Sequence, residues 1–267
     1  MSVKRIVIIG DGHSGHRAGL TPPAWQYQKP YPEDKFLKHE YEKYAEVQRL
    51  LWDFTSYWAK KLQPVYALIY NGDAIEGKGI KSGSRELITA DRDEQCSMAA
   101  QVIRLFKAKH VLMTFGTPFH TGYLEDWERQ IAKEVSAEKL TDALWVDFDG
   151  VLFNIRHKVG RSVIPHGRVT PILRQQLWEK LWADWEERKA ARVLVRHHVH
   201  YHVFAGGPDH LVMTGPGLQA YSQYGVRQCE GTVHMGLVWF DVDKGGKYRW
   251  QSQIIAGKLL KSKPLAL

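Results

Sequence analysis

Residues 6–15 read IVIIGDGHSG, an apolar run that ends in a glycine-rich segment. The run predicts a buried strand. The segment after it has two interpretations. Its glycines match the GxGxxG spacing of a dinucleotide-binding turn. Its Asp11 and His13 form an Asp-x-His pair, which is typical of half a metal site at the end of a strand.

The residues after Gly15 argue against the dinucleotide interpretation. Such a turn must open a helix at once, because the pyrophosphate lies against that helix's N-terminus. Here residues 16–34 read HRAGLTPPAWQYQKPYPED, and their four prolines predict a long loop. The acidic residue expected about 20 residues further on, after a second strand, is also missing, because positions 33–34 fall in this loop. The sequence therefore favours the metal interpretation.

The composition indicates a globular protein. The chain has 267 residues, of which 44% are hydrophobic and 25% charged. We predict one domain over 1–267 with a loop insertion at about 16–34. The apolar runs are too short for a membrane helix, which needs roughly 18 residues, or for a signal peptide. Cys96 and Cys229 cannot form a disulfide framework. These features predict a cytoplasmic protein with no membrane partner.

The charge favours a polyanionic partner. The formal net charge is +8, and a basic surface attracts DNA or RNA. The alternative is a basic protein that is merely soluble, because the lysines and arginines are dispersed along the chain rather than gathered in one tract. Charge alone therefore does not decide the function, and the sequence makes no prediction of the oligomeric state.

Hydrophobic periodicity predicts alternating strands and helices in the first half and a β-rich tail. This pattern indicates two sheets, or one mixed sheet, covered by helices. Asp149-Gly150 predicts a hairpin, and Lys244-Gly245-Gly246 predicts a turn. The predicted strands are 3–9, 65–70, 110–115, 144–147, 151–157, 192–196, 210–214, 232–242 and 247–255, and the predicted helices are 35–62, 92–109, 124–138 and 170–190.

The fourth predicted helix begins at Thr170-Pro171, a cap followed by proline. Apolar residues recur on one side of it, and they are Leu177, Leu181, Trp182 and Trp185. We interpret this stripe as core packing. A binding face is the alternative.

Acidic and imidazole side chains follow several predicted strands. In open α/β sheets, sites form outside the carboxyl ends of the strands. Residues two apart on an extended segment point the same way. Asp11 with His13, and His198 with His200, can therefore each present two ligands to one place. Oxygen and nitrogen ligands without thiolates suit Mn, Fe or Zn. In chain order these residues are Asp11, His13, Asp73, His120, His157, His198 and His200.

The order of the motifs over residues 11–200 resembles that of calcineurin-like metallophosphoesterases. Asp-x-His is followed by Gly-Asp, a Gly-Thr-x-x-His variant of Gly-Asn-His, a histidine, and His-x-His. The resemblance implies an α/β fold, a four-layer αββα sandwich of two mixed β-sheets flanked by helices. It also implies that the domain is a metallophosphoesterase domain with two divalent ions. We expect Mn²⁺, with Fe or Zn as alternatives.

The resemblance assigns a role to each motif residue. Asp11, His13 and His200 would hold one metal ion, while His157 and His198 would hold the second. Asp73 would bridge the two ions. His120 is the catalytic histidine, beside the scissile phosphate, where it would stabilise the developing charge or protonate the leaving group.

Two motifs depart from the family pattern. Thr117 stands where an asparagine ligand is expected, and a hydroxyl is a poorer ligand than an amide oxygen. Similar Gly-Thr-x-x-His motifs are found in phage-type members, which for a viral protein would mean the host cytoplasm. The segment His197–His200 lacks the glycine of the family's Gly-His-x-His. His166 is a rival to His157, which we prefer because it ends a strand.

These motifs predict a hydrolase of phosphate esters that acts through metal-activated hydroxide. We favour a phosphodiesterase or nuclease acting on nucleic acid or nucleotides, because of the basic charge and the aromatic residues of the loop. A phosphomonoesterase acting on protein or small molecules is one alternative. A degenerate, non-catalytic nucleic-acid-binding module is the other, with Thr117 as its support.

Four residues outside the metal motifs are candidates for substrate binding. Arg161 and Arg168 can bind phosphate bidentately, although solvated arginines are equally compatible with the sequence. Trp25 and Tyr27 lie in the loop directly after the first metal motif, where aromatic rings can stack on bases. A packed lid without substrate contact is the alternative for this loop.

Overall fold

The computed structural model describes residues 3–121, 126–223 and 232–255, and Cys229 lies outside these ranges. Two sheets form from the described strands. The first has the order β11-β10-β1-β2-β3-β4 and the second β5-β6-β7-β9-β8. The strands are β1 Lys4–Ile9, β2 Ala67–Asn71, β3 His110–Thr114, β4 Lys139–Thr141, β5 Leu144–Phe148, β6 Val151–Ile155, β7 Val193–Arg196, β8 Val203–Gly206, β9 Leu211–Thr214, β10 Met235–Val242 and β11 Tyr248–Ile255.

Both sheets are mixed. In the first, β1 to β4 pair in parallel, while β10 pairs antiparallel with β1 and with β11. In the second, β6, β7 and β9 are parallel, and β5 and β8 add antiparallel edges. The helices are α1 Lys35–Lys61, α2 Arg92–Leu105, α3 Pro118–Thr121, α4 Trp127–Glu134 and α5 Thr170–Trp185.

Successive side chains of the central strands point to opposite faces of the sheet and pack into different apolar layers. On β1, Val7 and Ile9 face α1 and α2, whereas Ile6 and Ile8 face the second sheet. A third, smaller apolar cluster lies between the outer face of the second sheet and α5, to which α5 contributes Ile172. Successive residues of a strand point to opposite faces, so this division gives helices, sheet, sheet and helix in order. The predicted αββα sandwich is confirmed.

The predicted loop at 16–34 is irregular except for the 3-10 turn Pro23–Trp25. Its first part is packed, because Ala18 and Leu20 are fully buried. The loop ends at Asp34, whose side chain accepts hydrogen bonds from the first amides of α1. This cap satisfies orphan N–H groups and begins the helix where the sequence predicts it.

Several boundaries differ from the prediction. The strands β4 and β8 are additional to those predicted. The helix α2 ends at Leu105 rather than 109, and Lys107 has a left-handed backbone with φ 46°. The helix α5 ends at Trp185 rather than 190, just before Glu187 at φ 50°. Thr170 is the first helical residue of α5 and not its cap, since Val169 takes the cap position.

The core-packing interpretation of the α5 stripe is wrong. Trp182 and Trp185 are 53% and 82% exposed. Beside the apolar cluster around Ile172, polar side chains of α5 face the sheet, because the sheet carries polar residues there. The buried Arg196 of β7 donates to Gln175 Oε1 at 2.7 Å, and Asn154 of β6 donates to Glu179 Oε2 at 3.1 Å. Buried polar groups need hydrogen-bond partners, so the polar side of α5 turns inward and its apolar side outward.

Among the helices of the described residues, none combines the length and the apolar character needed to cross a bilayer.

Candidate metal centre

The predicted ligands follow β1, β2, β3, β6 and β7 at one end of the two sheets. Their backbone is unusual. Five of them have positive φ, namely Asp11 at 50°, His13 at 43°, Asp73 at 49°, His198 at 75° and His200 at 53°. Non-glycine residues with positive φ are uncommon and cluster at functional sites, because the surrounding structure must hold them there. Their side chains converge into two neighbouring groups.

The first group of candidate ligands is Asp11, His13 and His200. One ligand atom from each lies within 4.8 Å of the others. His13 Nε2 is 3.3 Å from His200 Nε2, which in turn is 3.7 Å from Asp11 Oδ1. Asp11 also accepts the His198 amide at 3.0 Å through Oδ2, which ties the loops after β1 and β7 together.

The second group is Asp73, His157 and His198, with the same spacing limit of 4.8 Å. His157 Nε2 is 2.9 Å from Asp73 Oδ2, and His198 Nδ1 is 3.9 Å from the same oxygen. His157 Nε2 is also 3.8 Å from Asp11 Oδ1 of the first group. The two groups therefore lie side by side. His166, the rival to His157, is exposed on the 3-10 turn Pro165–Gly167.

The chemistry of these side chains fits metal ions. His157 Nδ1 donates to the Asn71 carbonyl at 2.8 Å, which aims Nε2 at the two carboxylates. That Nε2 is buried, and among the residues the structure describes it has no partner in hydrogen-bond geometry. His13 Nδ1 is held in the same way, by Glu76 Oε2 at 3.0 Å. Metal-binding histidines characteristically give their other ring nitrogen to a carboxylate or a carbonyl.

The sequence motifs do not identify Glu76 as a residue of the site. It follows Asp73 by three residues in NGDAIEG and is 7% exposed. Its carboxylate contacts His13, and its carbonyl accepts from His120 Nδ1 at 2.9 Å. Burial opposes ionisation, but His16 and His13 lower the pKa of Glu76 to about 2. A second acidic residue close behind the Gly-Asp motif is the only sequence signal that marks it.

Thr117 holds the Asp73 carboxylate. Its amide donates to Asp73 Oδ1 at 2.6 Å, and its hydroxyl donates to the same oxygen at 3.2 Å. Gly116 makes this approach possible, because a Cβ at that position would collide with the Asp73 amide and carboxylate. The role of Thr117 as a metal ligand stays a prediction.

Glu128 was also missed, since it lies on α4, far along the chain from the motifs. It is fully buried and accepts from the amides of Gly116 at 2.6 Å and Ala74 at 3.1 Å. Burial and the nearby Asp73 raise its pKa to about 7. The carboxyl group joins the loops after β2 and β3, which carry Asp73 and Thr117.

Asn71 joins the two sheets beneath the ligands. It ends β2, and its side chain donates to the Arg156 carbonyl at 3.1 Å. The same Nδ2 is 2.8 Å from His197 Nδ1, while Asn71 Oδ1 accepts from Thr114 at 2.6 Å. The buried His197 ring lies against Gly10 and Gly215, where a Cβ would collide with it. This close approach explains why residue 10 is glycine.

His120 lies beside the first group. Its ring meets that of His13 edge-on, with centroids 4.5 Å apart. Burial alone would lower the pKa of His120, but the Asp73 and Glu76 carboxylates raise it. With Nδ1 bound to the Glu76 carbonyl, Nε2 is the atom available to a substrate. His13, Glu76 and His120 also form a third set of candidate ligands.

The two groups differ in electrostatics. Burial would lower the pKa of His157, but contact with Asp73 raises it to about 10. Burial lowers the pKa of His200 to about 4, against the opposing effect of Asp11. The pKa values of Asp11 and Asp73 are lowered although burial opposes it, because imidazoles surround both carboxylates. The surrounding imidazoles therefore favour the anionic form of both carboxylates.

A cleft of about 410 Å³ opens over the ligands. Lys158, Arg161 and Arg168 line one side of it, so the two predicted phosphate-binding arginines are brought to the cleft. Arg168 donates to Thr232 Oγ1 at 3.0 Å, and its guanidinium lies 4.8 Å from the centre of the Tyr201 ring. These contacts hold a positive charge at the rim.

Trp25 and Tyr27 are not among the residues that line this cleft. Tyr27 stacks on Tyr41 of α1 with ring centroids 4.4 Å apart, and its amide donates to Gln48 at 2.8 Å. The aromatic loop packs against a helix because it must cover the apolar core there. The predicted base-stacking role has no support from the geometry of the cleft.

Comparison with solved structures finds similar chains. An archaeal phosphodiesterase is 14% identical with a TM-score of 0.43, over 93% of this chain and 99% of that chain. A predicted phosphoesterase from Streptococcus pneumoniae is 12% identical with a TM-score of 0.39, over 95% and 99%. Vps29 from Entamoeba histolytica, complexed with zinc, is 11% identical with a TM-score of 0.43, over 94% and 98%. No protein-family model and no curated protein sequence matches the chain.

The described strands form two mixed sheets flanked by helices, which is the fold that the motif resemblance implies. The phage-type character of the Gly-Thr-x-x-His motif stays a prediction. At these identities the similarity says nothing about the substrate.

Proposed function

We propose that this chain is a two-metal phosphoesterase that hydrolyses phosphodiesters of nucleic acid or nucleotides. The observation that carries the proposal is the pair of ligand groups, which lie side by side on the floor of a cleft with a basic rim. Each group offers one carboxylate and two imidazoles, and this donor set suits Mn, Fe or Zn.

Asp11, His13 and His200 would hold one ion, and Asp73, His157 and His198 the other. When bound, such a pair supplies Lewis-acid charge and a water of lowered pKa. The chain's own residues supply orientation. Glu76 and the Asn71 carbonyl fix the rings of His13 and His157, while Thr117 fixes the Asp73 carboxylate. His120 would hold a proton at Nε2 for the leaving oxygen.

A diester substrate is favoured by the charge of the cleft and of the chain. Lys158, Arg161 and Arg168 line the rim, and the net charge is +8. Arginine binds phosphate oxygens through paired N–H donors. A polymer with phosphates beyond the scissile one can contact the rim and the floor together, which a small monoester cannot do.

The test compares two chromogenic substrates. The protein is stripped of metal with a chelator, restored with Mn²⁺, and assayed on bis-p-nitrophenyl phosphate and p-nitrophenyl phosphate. We expect faster turnover of the diester, and then cleavage of DNA or RNA. Faster turnover of the monoester would indicate a phosphomonoesterase. No turnover with Mn²⁺, Fe²⁺ or Zn²⁺, together with binding of an oligonucleotide, would indicate a non-catalytic module.

A matched pair of variants ties any activity to this site. His157→Ala removes a buried ring from the second group, whereas His166→Ala removes an exposed ring nearby in sequence. We expect loss of turnover and of bound metal in the first variant only. Equal activity of the two would place the chemistry elsewhere.

A further inference from the structure

The helix α5 presents an apolar surface to solvent. We call it the α5 outer face. Tryptophans and leucines with about half or more of their surface exposed seldom gather on one helix of a monomer, because contiguous apolar patches mark interaction sites. The exposed fractions are 39% for Leu173, 59% for Leu177, 56% for Trp178, 51% for Leu181, 53% for Trp182 and 82% for Trp185.

The inward side of the same helix cannot exchange places with this face. Glu179 accepts from Asn154, from Arg188 Nη1 at 2.7 Å and from the Ala191 amide at 3.1 Å. Rotating α5 to bury its tryptophans would break these bonds and leave Arg196 without Gln175. Within the part of the chain that the structure describes, the outer face therefore stays exposed, which leaves it open to a second molecule.

The charges on the outer face of one copy are complementary to those on the same face of a second copy. Arg174 lies near the start of α5 and Asp184 near its end, both exposed and about 15 Å apart at the rise of a helix. A parallel partner helix would bring like charges together. An antiparallel copy brings each Arg174 to the other copy's Asp184, and it also pairs the helix dipoles favourably.

We propose that the α5 outer face is the interface of a two-fold symmetric homodimer, in which the two α5 helices pack antiparallel. With the axis midway along the helix, residue 178 of one copy lies opposite 181 of the other. Arg174 lies opposite Trp185 and beside Asp184, which gives a cation–π contact as well as an ion pair. Two-fold dimers use the same patch twice, and this patch is self-complementary in charge.

The composition of the face favours a protein partner over a lipid surface. Helices that lie on membranes carry many lysines and arginines on the polar side that flanks the apolar face. Here the polar side of α5 is bound to the sheet, and the exposed charges around the face are mixed. Lys180, for example, is 4.0 Å from Asp209.

The test measures mass in solution. Sedimentation velocity of the full chain over about 1–100 µM should show a concentration-dependent dimer. Leu181→Glu should weaken dimerisation about 100-fold or more, because each dimer loses two central apolar contacts. The matched control is Phe36→Glu, an equally drastic change at an 83% exposed residue of α1. It should leave the dimer intact. Both variants should keep the wild-type circular dichroism spectrum.

Charge reversal tests the antiparallel arrangement. Arg174→Glu and Asp184→Arg should each weaken the dimer, and the double variant should restore most of its affinity. A wild-type monomer at all concentrations overturns the proposal, as does a Leu181→Glu dimer of undiminished affinity. Failure of the double variant to restore affinity overturns the antiparallel arrangement. A monomer that cosediments with vesicles of phosphatidylcholine and phosphatidylserine assigns the face to a membrane.

Discussion

The two ligand groups share one composition but differ in how their carboxylates meet their imidazoles. In the second group, Asp73 contacts His157 at 2.9 Å, whereas in the first group Asp11 stands 3.7 Å from His200. The pKa of His157 is therefore raised to about 10, while that of His200 is lowered to about 4. Near neutral pH, the His157 ring of the metal-free protein is therefore a cationic imidazolium, whereas the His200 ring is a neutral imidazole. Two groups with the same donor residues can therefore differ in whether a histidine must lose a proton before an ion binds.

The largest effect is expected at the carboxylate of the second group. Asp73→Asn should reduce turnover by about 10³-fold or more, because the lost charge is the one that would offset the ions. Metal content, measured by mass spectrometry after gel filtration, should fall along with activity. A protein that keeps both metals and most of its activity would contradict the role of Asp73 as a ligand.

A smaller loss is expected at His120, which belongs to neither group of the proposed pair. His120→Asn should reduce turnover about 10²–10⁴-fold, the range for a lost acid–base group. It should keep the metal content of the wild type. A matching loss of metal would make His120 a ligand and favour the third candidate set, His13, Glu76 and His120.

A variant at Glu76 distinguishes the two groups experimentally. Glu76→Gln should weaken metal binding about 10–100-fold in the first group only, because it alters the support of His13 Nδ1. A titration with Mn²⁺ should then show one weakened phase and one unchanged phase. Glu138→Gln is a matched control, since Glu138 contacts His110 Nδ1 at 2.6 Å far from the centre. Equal weakening of both phases would remove the distinction.

The smallest effect is the dependence of metal-free stability on pH. For His157, the folded pKa lies above the unfolded value of about 6.5, so its contribution is complete below that pH and is lost as pH rises toward 10. For His200, the folded pKa lies below 6.5, so stability is lost as pH falls from 6.5 to about 4.

Urea midpoints measured in chelator across this range should therefore fall at both ends. His157→Gln should flatten the alkaline side and His200→Gln part of the acid side, which the buried His197 shares because its pKa is also lowered to about 4. A protein whose alkaline side is unaffected by His157→Gln would contradict the contact with Asp73.

The sheets and the metal motifs were predictable from the sequence for a physical reason. Strands β1, β2 and β3 are buried on both faces, so their continuous apolar runs are visible without any tertiary information. The parallel order of these strands then brings Asp11 and Asp73 to one edge. Local pattern and global topology agree in this part of the chain.

The orientation of α5 and the roles of Glu76 and Glu128 were not predictable in the same way. The direction in which α5 faces depends on Arg196 and Asn154, two polar residues in strands that otherwise read as buried and apolar. Glu128 acts through amides of loops that only the folded chain brings near it. Periodicity records which residues share a face, but not what that face will meet.

Each ligand group takes residues from both sheets. Asp11 and Asp73 follow strands of the first sheet, while His157 and His200 follow strands of the second. Between the sheets lies an apolar layer, whose hydrophobic stabilisation is not directional. Asn71 adds directional hydrogen bonds between the sheets, to His197 and to the Arg156 carbonyl. A bound ion in either group would also cross-link the two sheets. A relative displacement of the sheets would then alter the ligand spacing of both groups at once.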